Sequence, residues 1–541
     1  MLQNYFKITT RILFRNKVYS AVNILGLAMG LAAFLLILEY VALERSVNQF
    51  HTGLPDLYRI VCQSAEGNTW PEVEPGWASR IKERFPEVRD YCRFADGIAP
   101  GIVSNDEQAV SFREENIAYA DANFFGFFTF PLVAGDASAL GRPNVVFLSE
   151  SAARKFFGSD DPLGKSLRLC NQFGDRRYVV EGVFAEMGED SDLRFDQVFS
   201  LETLKNPANL NDNDWANTDN LDNQYIHTFF LLDRGVDYRA FGQKCTALRR
   251  ELQPEKDAVV FRVQPFREVR LAASLDDDLP HTGNVRYAYM LTGIALLILL
   301  IAWFNYVNLS TATAWQRANE VGVRKAIGAS RSALVGQLLG ESVLLNGLAL
   351  GAALLLTTLL QPYFNEVVGK NLSLAILGRT TLWAYGLAGV VLGALASGAY
   401  SAFALSGFKP ADILKGKWPG RAKGGTLRQT LVVAQFGISV ALILFTILIY
   451  SQLHYMRYKD LGINTEQLLV IRGPEAGLDS TYKNRRSAYW DEVARQSFVQ
   501  DYCLSGSVPG HSFNFITEGF TSPKSKPGDE NKSFSFAIIG D

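Results

Sequence analysis

The chain has 541 residues, with 53 Lys and Arg against 55 Asp and Glu and a formal net charge of −2. That balance excludes a bulk electrostatic attraction to nucleic acid, so no nucleic-acid partner is expected. Mean hydropathy is near neutral at +0.04, but several windows of about 18 or more residues are almost purely apolar, the pattern of membrane-spanning helices.

Residues 1–20 read as a short amphipathic helix on the inner membrane surface. Tyr5, Phe6, Ile8, Ile12, Leu13 and Phe14 form the apolar side, and Lys7, Arg11 and Arg15 the polar one. The first span is 21–43. A cleaved signal peptide is the competing reading, but the run is longer than a signal core and no small-x-small cleavage site follows it.

A large hydrophilic insert, 44–286, comes next. Strands are predicted at Leu57–Cys62, from Asp90 and at Asn144–Leu148. Further strands are predicted in SLRLC, RRYVVEGVFAEM, YIHTFFLLD and AVVFRVQPF. Helices are predicted at Trp77–Val88, from the cap Ser149 to Gly158, and at Tyr238–Leu252. The aromatic-rich stretch Glu115–Asp136 alternates poorly and is expected to be a partly buried turn with a short strand. This mixture predicts an α+β domain of two subdomains. Ser159–Ser166 (SDDPLGKS) nearly matches a phosphate-binding loop. It is rejected because Asp160 and Asp161 would repel phosphate, and because a helix precedes it and a strand follows. No other ATP-binding motif occurs, so no cofactor is expected in this chain.

Four more spans are predicted at 287–309, 333–360, 382–405 and 427–453, joined by loops at 310–332, 361–381 and 406–426 and followed by a tail, 454–541. Lys and Arg concentrate in the N-terminus and in the loops 310–332 and 406–426. By the positive-inside rule these lie in the cytoplasm, with the large insert and the tail outside. All five cysteines (Cys62, Cys92, Cys170, Cys245 and Cys503) fall in the outside parts, either as buried thiols or with a disulfide among them. The third span carries Glu341, Ser342 and Asn346. The Glu341 carboxylate is either on a transport path or interfacial, since the basic loop is only two turns away. Gly389 and Gly393 in the fourth span have the GxxxG spacing of close helix packing.

An internal repeat is also expected. Arg428–Met456 follows the pattern of Arg15–Leu43, VQDYC (Val499–Cys503) echoes VRDYC (Val88–Cys92), and EQLLVI (Glu466–Ile471) echoes DLYRIV (Asp56–Val61). On this reading the tail is an incomplete second copy of the insert, and the chain is a fragment or truncated product.

Three stretches together resemble the permease subunits of MacB/FtsX-type ABC transporters, in the long form with two fused repeats. EVGVRKAIGAS (Glu320–Ser330) resembles the E-x-G-x-R-[KR]-A-x-G-A loop between that family's second and third spans. Tyr119–Asp136 together with Val145–Leu169 resembles its MacB-like periplasmic core domain, and Val179–Asp196 the segment after it. In that last segment Gly188 and Asp190–Asp192 stand where the family often has Pro and Asn-Ser-His. The resemblance implies a polytopic α-helical membrane protein of the cell inner membrane with a large extracytoplasmic α+β domain. It implies no catalysis in this chain, because a separate cytoplasmic ABC ATPase dimer binds ATP and its closure is transmitted through the spans. An extracytoplasmic adaptor or substrate protein and membrane lipids would be further partners, with efflux or envelope maintenance as the role.

On that resemblance Glu320, Gly322, Arg324, Lys325 and Gly328 couple to the ATPase. If the segment is helical, Glu320 and Arg324 are i,i+4 partners and Gly328 can end the helix. A plain positive-inside anchor would explain Arg324 and Lys325 but not Glu320, Gly322 or Gly328. The alternative function is a membrane-anchored ligand receptor with no ATPase, against which stand the many spans and the lack of a cytoplasmic effector domain. A membrane enzyme has no support: the five histidines are scattered, and neither an HExxH motif nor a nucleophile elbow occurs.

Overall fold

The first apolar run folds as one 30-residue helix, α1 (Lys17–Ser46), three to four residues longer at each end than the predicted span. In the computed structural model the described residues are 17–64, 67–254, 259–270, 285–327, 330–378, 382–406, 423–460, 467–473 and 481–506, with short pieces at 508, 515–517, 534–536 and 539–540. The predicted amphipathic helix lies almost wholly outside them, as does most of the loop 406–426. The chain divides into two units, Met1–Leu469 and Val470–Asp541.

Beyond α1 the insert forms one mixed sheet. Its main strands are β1 (Leu57–Gln63), β2 (Val88–Ala95), β3 (Gly101–Asn105), β4 (Val110–Glu114), β5 (Ile117–Ala120), β6 (Val145–Ser149), β7 (Ser166–Asn171), β8 (Gly174–Phe184), β9 (Gln197–Ser200), β10 (Ile226–Leu232) and β11 (Val260–Pro265). They run in the order β11-β1-β10-β2-β5-β9-β6-β8-β7-β3-β4. Most pairs are antiparallel. The parallel pairs are β5 with β9 and β6 with β8. A parallel pair needs a long crossover, and between β6 and β8 the chain makes a helix and β7 on the way. The two subdomains expected from the sequence thus share a single hydrogen-bonded sheet.

Both faces of this sheet are buried, which explains the nearly continuous apolar runs of β5, β6 and β9. Side-chain alternation sends Ile117, Tyr119, Val146, Leu148 and Phe199 to one face, and Ala118, Ala120, Val145, Phe147 and Val198 to the other. The first face is covered by α2 (Trp77–Arg84), α3 (Glu150–Phe157) and α4 (Tyr238–Leu252), through residues such as Trp77, Phe156 and Phe241. Helix α3 starts where Ser149 accepts the Ala152 amide at 3.1 Å, and it ends at Gly158. The segment 159–166 lies between this helix and β7, so the helix-turn-strand order is the reverse of a phosphate-binding loop.

The aromatic stretch covers the second face. Phe124, Phe125, Phe127, Phe128 and Phe130 are all buried and pack with Phe94, Phe147, Phe184, Phe229 and Phe266. The expected partly buried turn is therefore the core of this face. Its rings satisfy no simple period because they radiate from a one-turn helix, Phe124–Phe127, and the loop after it.

From the sheet the chain passes through the one-turn helix α5 (Phe266–Val269) to the remaining long helices: α6 (Val285–Ala326), α7 (Arg331–Val368), α8 (Leu382–Ser406) and α9 (Lys423–Tyr458). Among the described residues, four helices are long and apolar enough to cross a membrane, over Lys17–Ser46, Arg286–Ala312, Arg331–Val368 and Gln429–Tyr458; α8 adds a shorter apolar helix, Gly386–Ala396. The loop expected at 310–332 is instead helical as far as Ala326, because residues 310–326 hold no proline and many helix formers. The α1, α6 and α7 helices meet through small residues, including Ala28, Ala32, Ala295, Ala302, Ala349 and Ala353, with Leu27, Leu31, Leu299 and Leu345 between them. Such residues let backbones approach closely where lipid supplies no hydrophobic drive.

In the second unit, α10 (Tyr482–Ala494) buries no residue, and two short ladders pair Leu504–Ser505 with Ile539–Gly540 and Phe515–Thr517 with Phe534–Phe536. Of the stretch Glu466–Ile471, expected to repeat β1, residues 467–471 are described, and among the described residues they pair with no strand.

Candidate functional site

Helices α6 and α7 are joined by only 327–330, and the far ends of both lie at the end of α1, Tyr289 under Arg45 and Lys370 on Glu44, so they run antiparallel as a hairpin whose two arms both pack on α1. At its turn Ser330 caps α7 by accepting the Ala333 amide at 3.3 Å. Positions Glu320, Gly322, Arg324 and Lys325 lie in the last two turns of α6, with 320 and 324 one turn apart. Gly328 lies outside the described residues. The structure thus gathers four of the five predicted coupling positions at the tip of one hairpin.

The two packing glycines separate. A β-carbon on Gly393 would fall 1.8 Å from Trp303 Cζ2, so α8 meets α6 there, whereas Gly389 has open space beside it. A further close approach of α8 is Gly398, where a β-carbon would lie 2.7 Å from Ser342 of α7. Ser342 receives the Tyr306 hydroxyl at 3.1 Å and donates to the Ala394 carbonyl at 3.2 Å. Glu341, Ser342 and Asn346 are all buried, so this polar patch faces the helices rather than lipid.

A second constellation lies where the helices meet the sheet domain, and no sequence motif marks it. Arg270, directly after α5, donates through Nε and Nη2 to the Glu44 carboxylate of α1 at 3.0 and 3.1 Å, and through Nη1 to Asp192 at 2.7 Å. Lys370 adds a second cation on Glu44. Asn48 Nδ2 donates to Asp192 at 2.8 Å, its Oδ1 accepts the Asp192 amide at 3.0 Å, and its own amide donates to the Asp190 carbonyl at 2.8 Å. Beside them the Asn371 amide and side chain donate to Glu189 at 3.1 to 3.3 Å.

Glu44, Asn48, Asp192 and Arg270 are buried. Burial by itself would weaken the Arg270 cation. Its hydrogen bonds to the Glu44 carboxylate and the nearby Asp192 charge outweigh it, and the guanidinium is held above its ordinary value. Two cations facing two carboxylates keep the cluster near neutrality, the condition under which buried charge is tolerated. The departure of residues 190–192 from the family's usual residues was the one available signal, since it places Asp192 where Arg270 needs an anion. Deeper in the bundle, Gln361 of α7 donates to Glu39 of α1 at 2.9 Å.

Comparison with known proteins assigns these parts. Residues 20–248 match the MacB-like periplasmic core domain, and residues 292–410 match the FtsX-like permease C-terminal family. The chain is similar to the uncharacterized ABC transporter permease YvrN of Bacillus subtilis, at 21% identity over 360 residues that cover 64% of this chain and 83% of that protein. It is also similar to the pyoverdine export ATP-binding/permease protein PvdT of Pseudomonas savastanoi, at 26% identity over 361 residues, 58% of this chain but only 51% of that one. The periplasmic region of MacB from Actinobacillus actinomycetemcomitans superposes with a TM-score of 0.29 and 18% identity, covering 39% of this chain and 90% of that structure. The sheet domain is accordingly the extracytoplasmic part of a membrane protein. With the core domain on the first half and the permease domain on the helices that follow, the chain belongs to the MacB/FtsX-like family of ABC transporter permeases.

Proposed function

We propose that the chain is the non-catalytic permease subunit of an ABC-type complex in the cell inner membrane. A separate cytoplasmic ATPase dimer grips the α6–α7 tip and, through the helices, moves the extracytoplasmic domain against a substrate or adaptor protein in efflux or envelope maintenance. The observation that carries this reading is the hairpin itself. Its tip holds NEVGVRKAIGAS (Asn319–Ser330), and both of its helices run back toward the sheet domain. At 42 residues α6 is about 63 Å long, roughly twice the hydrocarbon thickness, so its last turns reach past the bilayer. The positive-inside rule supports a cytoplasmic tip. The names of relatives such as PvdT, which joins ATP-binding and permease functions in one protein, support an ATPase partner.

The test is purification of the full-length chain from its native membrane with an assay for a co-purifying ATPase. Arg324→Glu and Lys325→Glu should lower ATPase association or its stimulation while insertion is retained. Absence of any ATPase from the wild-type preparation would favour the alternative, a membrane-anchored ligand receptor. Unchanged stimulation in both variants would remove the coupling role of the tip.

A further inference from the structure

The buried ionic cluster at the outer end of the helices is built differently from a simple anchor. Helix α7 has 38 residues, about 57 Å, and runs from its cap Ser330 at the tip to Gly369 with Pro362 inside its outer end. Gly369 takes the left-handed conformation, with φ of 68°, and its amide returns to the Asn365 carbonyl at 2.8 Å. Asn365 then binds the turn that follows: its Nδ2 donates to the Leu372 carbonyl at 3.0 Å, and its Oδ1 accepts the Leu372 amide at 3.3 Å. Lys370 and Asn371 lie inside this closed turn, so they are fixed to the end of the helix and move with it. Both reach off the helix, Lys370 to Glu44 of α1 and Asn371 to Glu189 of the sheet domain.

From Glu44 the contacts continue to Arg270 and Asp192, and from Asp192 to Asn48. One loop of the sheet domain, 189–192, is therefore held from three sides: by α7 through Asn371, by the end of α1 through Asn48, and by the exit from the sheet domain through Arg270, just after α5. Removing Lys370 from this set would take one of the two cations hydrogen-bonded to the buried Glu44 carboxylate away from it. Partial separation is thus penalised, and the set favours moving as a unit.

We propose that Lys370, Asn371 and Arg270 form an ionic joint that makes the Glu189–Asp192 loop follow the outer ends of α7 and α1. These are positioning residues. The joint itself stands on the contacts above; that it relays work from a cytoplasmic ATPase rests on the function proposed in the preceding subsection.

The experiment is hydrogen exchange followed by mass spectrometry on the full-length chain in nanodiscs. The variants are Lys370→Met, Asn371→Ala, the double variant, and Lys370→Arg as the conservative exchange. The reporters are the amides of Asn48 and Asp192, both bonded across the joint. In the double variant their peptides should exchange about tenfold faster, while β10 keeps its protection and Lys370→Arg restores most of the effect at position 370. Unchanged exchange at both reporters, or an equal rise in β10, would overturn the joint.

A second arm adds the co-purifying ATPase with a non-hydrolysable ATP analogue. The nucleotide-dependent change in exchange at 189–192 should be present in wild type and lost in the double variant, although ATPase binding persists. A retained change would overturn transmission through these residues. If no ATPase binds wild type, the functional reading fails, and the first arm alone decides the joint.

Discussion

Gly393 of α8 lies so close to the Trp303 indole of α6 that a β-carbon there would fall 1.8 Å from Cζ2 and 2.0 Å from Cε2. The indole is a rigid neighbour that fills the place of a side chain, whereas Gly389, one turn earlier, has nothing within contact distance. Gly393→Leu should therefore push α8 away and destabilise the bundle by about 1–3 kcal/mol, the usual range for overpacking. Gly389→Leu should be nearly neutral. Thermal melts of both variants in detergent check this, and equal melting temperatures would show that α8 packs elsewhere.

Within the sheet domain Arg249 of α4 forms a two-pronged pair with Glu74, at 3.0 and 2.8 Å, and each side chain is only 1% exposed. Arg249 also lies 4.8 Å from the centre of the Phe261 ring. Arg249→Met leaves a buried, unpaired carboxylate and should cost about 3–5 kcal/mol. Glu74→Met combined with Arg249→Met should recover much of that loss, because no charge is then stranded. Denaturant midpoints of the single and double variants give the comparison; additive losses would rule out this account of the pair.

His51 follows α1 and is 3% exposed among Phe50, Phe128, Phe130 and Phe266. The Phe128 carbonyl accepts a hydrogen bond from Nδ1, while Nε2 is buried without a partner among the described residues. Burial lowers its pKa from 6.5 to about 4, against the smaller upward pull of the Phe128 carbonyl. A depressed histidine pKa means that folding excludes the proton. The stabilisation is complete above pH 6.5 and is lost as pH falls from there toward 4, amounting to about 3 kcal/mol. His51→Gln keeps a donor for Phe128 without titrating. Melting temperatures of wild type should fall more steeply than those of His51→Gln between pH 7 and 4.5; parallel curves would count against the assignment.

All five cysteines are free, and Cys62, Cys92 and Cys245 are buried in the sheet domain while Cys503 is exposed. Burial raises the three buried thiols well above their ordinary value and holds them unreactive. Native maleimide labelling followed by peptide mass spectrometry should modify Cys503 first, Cys170 partially, and the other three only after denaturation. Early labelling of Cys92 would contradict its buried place in the β2–β10 ladder, opposite Phe229.

What the sequence determined by itself was local and periodic. The apolar runs specified the long helices. Ser149 and Gly158 bounded α3, the Tyr238–Leu252 helix was legible with its bounds, and β1, β6 and β10 read directly from their β-branched and aromatic runs. Each of these signals comes from residues a few positions apart, where capping, propensity and side-chain period act. The proposed coupling positions came instead from resemblance to a family motif; Glu320, Gly322, Arg324 and Lys325 fall on the last turns of α6, and Gly328 lies outside the described residues.

Tertiary structure alone decided the rest. The aromatic stretch 124–130 became core because the strands of one sheet face surround it. Gly393, and not Gly389, became a contact because Trp303 of another helix occupies its side. Glu44, Asp192, Arg270 and Lys370 are far apart along the chain and individually unremarkable in composition. They act together only because the ends of α1 and α7 and the exit from the sheet arrive at one place. A buried charge has to find its counter-charge in space, and residue spacing along a chain carries no record of that distance.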